Sequence, residues 1–118
     1  MQAPDVRATQ NVPDVVPGSD EARVLDRFVQ LVSGQDSVQK VLVEHTAEGL
    51  CVWTVIDAEP LAFDPRKPVY NAELQASHVA QDAQVCFHLV NRREYPDEEL
   101  NQLLPAHGRF AWRRGPKA

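Results

Sequence analysis

The feature that most constrains the fold of this chain is a run without charged residues, Leu50 to Ile56, which is apolar on both strand faces. Successive side chains of a β-strand point to opposite sides of a sheet, so such a run needs cover on both sides or a central place in the sheet. An edge strand usually carries a charge or a proline that blocks stray pairing. The run therefore predicts a central strand that lies between the first and third strands of a sheet.

This run is the second half of a predicted β-hairpin. A β-rich segment, Val38 to His45, precedes it, and Thr46-Ala47-Glu48-Gly49 separates the two. A short loop containing glycine between two β-rich runs is typical of a hairpin. We therefore expect the first two strands to pair antiparallel.

Helices and further strands surround the hairpin. Ser19 is a suitable N-cap, and Gly34 a suitable end, for a first helix whose apolar residues recur at i, i+3, i+4 and i+7. The elements predicted after the hairpin are a helix from Pro68 to about Ala80, a strand from Val85 to Val90, a short helix between Pro96 and Pro105, and a strand from Arg109 to Arg113.

The predicted fold class is α+β, in the order α-β-β-α-β-(short α)-β. We expect a mixed or antiparallel sheet of about four strands with the two main helices on one face. The last strand carries charges at both ends, so it is predicted at an edge of the sheet, with Ala111 on a face that stays wet. Residues 1 to 18 contain three prolines and no aromatic residue, which predicts a disordered tail before one domain, residues 19 to 118.

Charge and composition argue against several classes of partner. The net charge is -5, and the twelve basic residues are scattered apart from two pairs, Arg92-Arg93 and Arg113-Arg114, which we interpret as solvated strand ends. This balance indicates no nucleic-acid partner. No apolar run reaches the ~18 residues of a membrane helix, and no secretory signal is present, so we expect a cytoplasmic protein. Cys51 and Cys86 are then reduced thiols, interpreted as small buried apolar residues.

The common catalytic motifs are absent. The five glycines form no phosphate-binding loop, and no nucleophile elbow occurs. Cys86 and His88 share a strand face, so they form a Cys–His pair if that face meets solvent, or pack in the core, which we favour. A metal site could draw on His45, Cys51, Cys86 and His88. Their spacing matches no familiar motif, and we therefore predict no metal and no cofactor.

Carboxylates provide the remaining enzymatic hypothesis. Asp57 and Glu59 follow the second strand, and Glu73 lies in the second predicted helix. These three residues are the alternative site, although Asp57 and Glu59 are equally suited to a turn that leaves a strand. The large side chains most able to anchor a partner, if exposed, are Trp53, Tyr95, Phe110 and Trp112.

Two segments joined by a loop resemble the strand and following helix of small bacterial nucleotidyltransferases of the polymerase-beta type. They are Leu50 to Asp57 and Val69 to Leu74. Val85 to Tyr95 resembles their third core strand, so the resemblance covers roughly residues 20 to 96. In that family, carboxylates on these strands hold two divalent metals for phosphoryl transfer. Leu50 to Ile56 and Val85 to His88 contain no carboxylate. The resemblance therefore implies a relative without the catalytic motif.

Two functions follow as hypotheses. The first is a non-catalytic binding or protein-interaction module, whose partner is another protein or a second copy of the chain. The alternative is a nucleotide-binding protein or residual nucleotidyltransferase-type enzyme that uses Asp57, Glu59 and Glu73.

Overall fold

The computed structural model describes residues 15–115 of the 118 residues of the chain. Its elements, in chain order, are α1 (Asp20–Val32), β1 (Val38–Thr46), β2 (Gly49–Ile56), α2 (Lys67–Ser77), β3 (Val85–Asn91), α3 (Asp97–Leu103) and β4 (Arg109–Arg113). The predicted order is confirmed. The largest difference in bounds is at α2, which ends about three residues before the predicted end.

The four strands form one mixed sheet in the order β3-β2-β1-β4. Strand β1 pairs antiparallel with both β2 and β4, whereas β2 and β3 are parallel. The charge-free strand β2 thus lies between the first and third strands, and β4 lies at an edge, as the sequence predicted. Because β2, β3 and β4 all run in the same direction, their carboxyl-terminal ends lie on the same side of the sheet, along the boundary perpendicular to the strands.

The two main helices cover one face of this sheet. Ser19 caps α1 by accepting a hydrogen bond from the backbone N–H of Ala22 at 3.2 Å. Helices α1 and α2 contact each other, and their buried side chains belong to one apolar cluster with alternate residues of the strands. The members of this core from the strands are Val38, Val41, Val43, Leu50, Val52, Ile56 and Ala111.

The opposite face of the sheet, here called the outer face, carries the side chains of Cys51, Trp53 and Val55 from β2. The short helix α3 lies over one end of it, where the buried side chains of Leu100 and Val55 line the same cavity. The other end has no helix over it among residues 15–115. No helix in this range is long and apolar enough to cross a membrane.

The expectation for Ala111 is wrong, and the expectation for the N-terminal tail falls mostly outside the described residues. Ala111 is 1% exposed and belongs to the core, so the expectation of a wet position is wrong. The cause is an irregularity in the β1–β4 pairing, where Val41 faces Trp112 and Leu42 faces Phe110, so that Ala111 is the extra residue between two consecutive pairs. The predicted tail, residues 1 to 18, falls mostly outside the described residues.

Candidate functional site on the outer face of the sheet

The predicted carboxylate site is divided in the structure. Arg93 contacts two of its members: its Nε donates a hydrogen bond to Asp57, and its Nη1 donates to Glu59 at 2.8 Å. The bonds and charges of Asp57 and then Glu59 raise the pKa of Arg93. Both carboxylates are therefore compensated by one guanidinium, which ties the loop after β2 to the turn after β3.

Asn91 strengthens the same connection from a buried position at the end of β3. Its Nδ2 donates to the carbonyl oxygen of Ala58 at 2.9 Å, and its Oδ1 accepts from the N–H of Ala58 at 3.2 Å. These two bonds make the side chain act as one more rung between β2 and β3. The carboxyl ends of both strands are thereby held in place, which indicates a structural role for the region.

Glu73, the third predicted member, lies on α2, and no described contact joins it to Asp57 or Glu59. Burial raises the pKa of its carboxyl from 4.5 to about 7. No residue between 15 and 115 forms an ion pair with it. The three carboxylates therefore share no common point at which they could hold a metal ion.

A cavity of about 400 Å³ lies between α3 and the ends of β1 and β4. It opens on the outer face, and its wall is formed by residues of β1, β2 and β4 together with residues of α3. We call it the basic cavity. Its lining residues are Gln39, Lys40, Val55, Arg92, Asp97, Leu100, Asn101, Arg113 and Arg114.

The basic cavity concentrates positive charge in an acidic protein. Arg114 is held by the backbone, since it donates to the carbonyl oxygens of Val38 at 3.0 Å and Gln35 at 2.6 Å. None of the cationic side chains of the lining forms an ion pair within the described part of the chain: Arg114 contacts only backbone oxygens by hydrogen bonds, and the other three are Lys40, Arg92 and Arg113. Asp97 is the one carboxylate among the lining residues.

Phe110 supports two of these cations. The ammonium of Lys40 lies 5.8 Å from its ring centroid, and the guanidinium of Arg113 lies 5.3 Å from it. Cation–π contacts of this kind position a cation without neutralising its charge. The positive charges are therefore oriented and available to an anion.

A second group of side chains meets at the opposite end of the outer face. The Sγ atoms of Cys51 and Cys86 and a ring nitrogen of His88 all lie within 4.8 Å of one another. Cys86 Sγ and His88 Nε2 are 3.2 Å apart. We call this group the Cys–His cluster. It forms because parallel strands β2 and β3 pair in a register that puts Cys51 beside Cys86 and Trp53 beside His88.

The interpretation of both cysteines as buried apolar residues is wrong. Cys86 is exposed, Cys51 is half-buried, and both are free thiols. Burial, followed by the neighbouring Cys86 thiol, raises the pKa of Cys51. The face shared by Cys86 and His88 is the outer face, so the Cys–His pair meets solvent.

Sequence reasoning could have found both sites only through the strand pairing. A cysteine, followed two residues later by a ring side chain, occurs in both Leu50-Cys51-Val52-Trp53 and Val85-Cys86-Phe87-His88. These side chains meet only if β2 and β3 are parallel neighbours in this register. Likewise, Arg92 and Arg113 follow or end parallel strands whose carboxyl ends share one edge. Interpreting the two arginine pairs as separate solvated strand ends misses the convergence of Arg92, Arg113 and Arg114 on the cavity.

The predicted anchors are partly accessible. Phe110 is 43% exposed, whereas Trp53, Tyr95 and Trp112 are half-buried. The structure adds an exposed apolar row that sequence reasoning did not select, formed by Phe63 in the loop before α2 and by Tyr70 and Leu74 on that helix.

No protein-family model, curated protein or solved structure matches this chain. The function is therefore argued from the geometry of the outer face.

Proposed function

We propose that the chain is a non-catalytic binding module that takes a small phosphate-bearing ligand in the basic cavity. The observation that carries this proposal is the convergence of Lys40, Arg92 and Arg113 on one cavity without an ion-pairing partner among the described residues. Like charges brought together destabilise the folded chain, and a bound anion offsets that repulsion.

The chemistry of the lining favours phosphate over other ligands. A guanidinium presents a planar fork that matches two phosphate oxygens, and Lys40 adds a point charge. Asn101 and Gln39 add neutral amides that can donate hydrogen bonds to the remaining oxygens. A volume of about 400 Å³ lies in the usual range for small-molecule sites.

Two observations support binding rather than catalysis. Asp57 and Glu59 are both engaged by Arg93, and Glu73 lies on another element without contact to them. A two-metal phosphoryl transfer would need such carboxylates to converge. The resemblance to nucleotidyltransferases remains a proposal about ancestry, and a nucleotide is one phosphate-bearing ligand that the cavity could take.

Thermal unfolding with and without ligand tests the proposal. Millimolar pyrophosphate, ATP, and ATP with Mg²⁺ are the probes, because a ligand that binds only the folded chain raises the melting temperature. Each of the variants Arg92→Gln and Arg113→Gln should weaken binding about tenfold or more, since a hydrogen bond to a charged group contributes about 1.5–3 kcal/mol.

Arg109→Gln is the matched control, because Arg109 lies on β4 like Arg113 but does not line the cavity. It should leave the ligand-induced shift unchanged. The proposal fails if none of the three probes raises the melting temperature of the wild-type chain, or if the control loses as much affinity as Arg113→Gln.

A second candidate function is a contact with another copy of the chain through the row Phe63, Tyr70 and Leu74. Lys67 lies beside this row, 5.5 Å from the Phe63 ring centroid, and pairs with Asp64 at 3.4 Å, so these two charges are already balanced when the row meets the same row of a second copy. Light scattering should then show a dimer that Leu74→Glu dissociates. A wild-type monomer at high micromolar concentration would contradict this candidate.

We also propose a cytoplasmic location. It is supported by the two free thiols, of which Cys86 is exposed, because reduced exposed thiols persist in a reducing compartment.

A further inference from the structure

We propose that Cys51, Cys86 and His88 bind one Zn²⁺ ion per chain, in a site with three protein ligands and a fourth position open to solvent. This site lies at the other end of the outer face from the basic cavity and does not depend on the proposed function.

The donor atoms have the right identity and spacing. Zinc in proteins takes thiolate sulfur at about 2.3 Å and imidazole nitrogen at about 2.0 Å, so the ligand atoms of a tetrahedral site lie roughly 3.5–3.8 Å apart. The two Sγ atoms and the ring nitrogen all lie within 4.8 Å of one another, and Cys86 Sγ is 3.2 Å from His88 Nε2. Side-chain rotations that move these atoms by about 1 Å or less would bring all three to the spacing of a tetrahedral site.

The backbone fixes these donors before any ion arrives. Cys51 and Cys86 are partners in the parallel β2–β3 ladder, and His88 is the next outward-facing residue of β3. Trp53 stacks on the imidazole of His88, with ring centroids 4.0 Å apart and planes 17° from parallel. Because the ring cannot turn freely, little entropy is lost when its nitrogen binds a metal.

The cluster can also release its protons and accept a fourth ligand. A divalent cation displaces the thiol protons of Cys51 and Cys86, and the two thiolates then balance its charge. A cavity of about 240 Å³, lined by Glu48 and Gln84 among others, adjoins both cysteines. This space suits a water molecule as the fourth ligand, as in zinc sites that keep an open position.

Packing alone does not account for the cluster. Cys86 is exposed, so it contributes little to a core, and an edge strand gains nothing from an oxidation-sensitive thiol at its surface. Two thiols and an imidazole at ligand spacing are, in contrast, the donor set that zinc selects.

Titration with Co²⁺ tests the proposal, with the full chain kept reduced by a phosphine. Bound cobalt should give a thiolate-to-metal charge-transfer band and the strong visible absorption of tetrahedral Co²⁺, and Zn²⁺ should bleach both at one ion per chain. The variants Cys51→Ser, Cys86→Ser and His88→Gln should each weaken binding at least about 100-fold, more than the loss typical of outer-shell partners.

His45→Gln is the matched control, because His45 lies on β1, outside the cluster. It should bind cobalt like the wild type. Cys86→Ser and His88→Gln change exposed or half-buried side chains, so both should fold, and their far-UV circular dichroism checks this directly. Arg113→Gln should also bind cobalt normally, which separates this site from the basic cavity.

Three outcomes would overturn the proposal. They are the absence of a charge-transfer band at millimolar Co²⁺, an equal loss of affinity in His45→Gln, and a stoichiometry of half an ion per chain. The last result would mean that two copies share one ion and that the fourth position is not open.

Discussion

Glu73 is half-buried on α2, where burial raises the pKa of its carboxyl from 4.5 to about 7. A carboxyl whose pKa is higher in the folded than in the unfolded chain keeps its proton longer in the folded chain. The contribution of Glu73 to the free energy of unfolding is therefore most favourable below pH 4.5, falls between pH 4.5 and about 7, and is constant above that.

Glu73→Gln should remove this pH dependence and make the chain more stable at pH 8. The full pKa difference corresponds to about 3 kcal/mol, but the side chain is partly solvated, so we expect roughly 1 kcal/mol. Urea unfolding at pH 4.5, 6 and 8 measures the effect. Glu48→Gln, in the exposed hairpin turn, is the control. If the free energy of unfolding changed with pH in the same way for wild type and Glu73→Gln, the raised pKa of Glu73 would be refuted.

Gly49 is the first residue of β2 and lies where this strand begins to pair with β3. Its φ is +132°, and a Cβ atom there would overlap the carbonyl oxygen of Gln84. That same oxygen accepts a hydrogen bond from the N–H of Leu50 at 2.9 Å, which starts the β2–β3 pairing. Gly49→Ala should therefore cost about 2 kcal/mol or more in the free energy of unfolding. It should also weaken cobalt binding, because it displaces Cys51 from Cys86.

Gly34→Ala is the matched control for this substitution. Gly34 has no positive φ, and no atom lies within 4 Å of the position that a methyl group would take there, so alanine should fit. The change should be neutral or stabilise the chain by a few tenths of a kcal/mol. Chemical unfolding and cobalt titration of both variants provide the comparison. Equal effects at Gly34 and Gly49 would show that close packing against Gln84 does not set the register.

Strand β2 should tolerate no charge on its core face. Val52 is fully buried among the residues covered by α1 and α2. Burying an unpaired carboxylate costs several kcal/mol, a large part of the stability of a domain of this size. Val52→Asp should therefore unfold the chain, as circular dichroism would show. A folded Val52→Asp would contradict the central position of β2.

Ala111→Asp should be nearly as damaging, although Ala111 lies on an edge strand, because its side chain is 1% exposed. His45→Asp, at an exposed position of β1, is the control and should change the free energy of unfolding by less than about 1 kcal/mol. A mild effect at Ala111 would mean that the edge strand detaches from β1 at low cost.

These elements show what sequence can predict. Leu50 to Ile56 indicates a central strand because burial on both faces leaves a local pattern of apolar residues. Ala111 could not be placed, because the irregular pairing opposite Val41 depends on how β1 and β4 meet. The Cys–His cluster depends on the pairing of β2 with β3, which are separated by α2 in the chain. A local pattern carries no information about that register.

At the scale of the whole molecule, the core includes a residue that precedes the helix with which the sequence suggests that the domain starts. Val15 is 3% exposed and belongs to the same core cluster as α1 and α2. The carbonyl oxygen of Val16 accepts a hydrogen bond from the N–H of Ser19 at 3.1 Å, which turns the chain into α1. Fully burying a valine side chain contributes roughly 1.5–3 kcal/mol.

Two shortened chains, starting at Val15 and at Ser19, measure this contribution. The chain that starts at Ser19 lacks the Val15 side chain in the core, so its free energy of unfolding should be lower by about 2 kcal/mol. In a domain of about this size, that difference lowers the melting temperature by roughly 8–16 °C. Val15→Ala in the full chain should reproduce a large part of the loss, whereas Val16→Ala should not, because Val16 is 68% exposed. Equal melting temperatures for the two shortened chains would mean that the core closes without Val15, and that Ser19 is the true start of the domain.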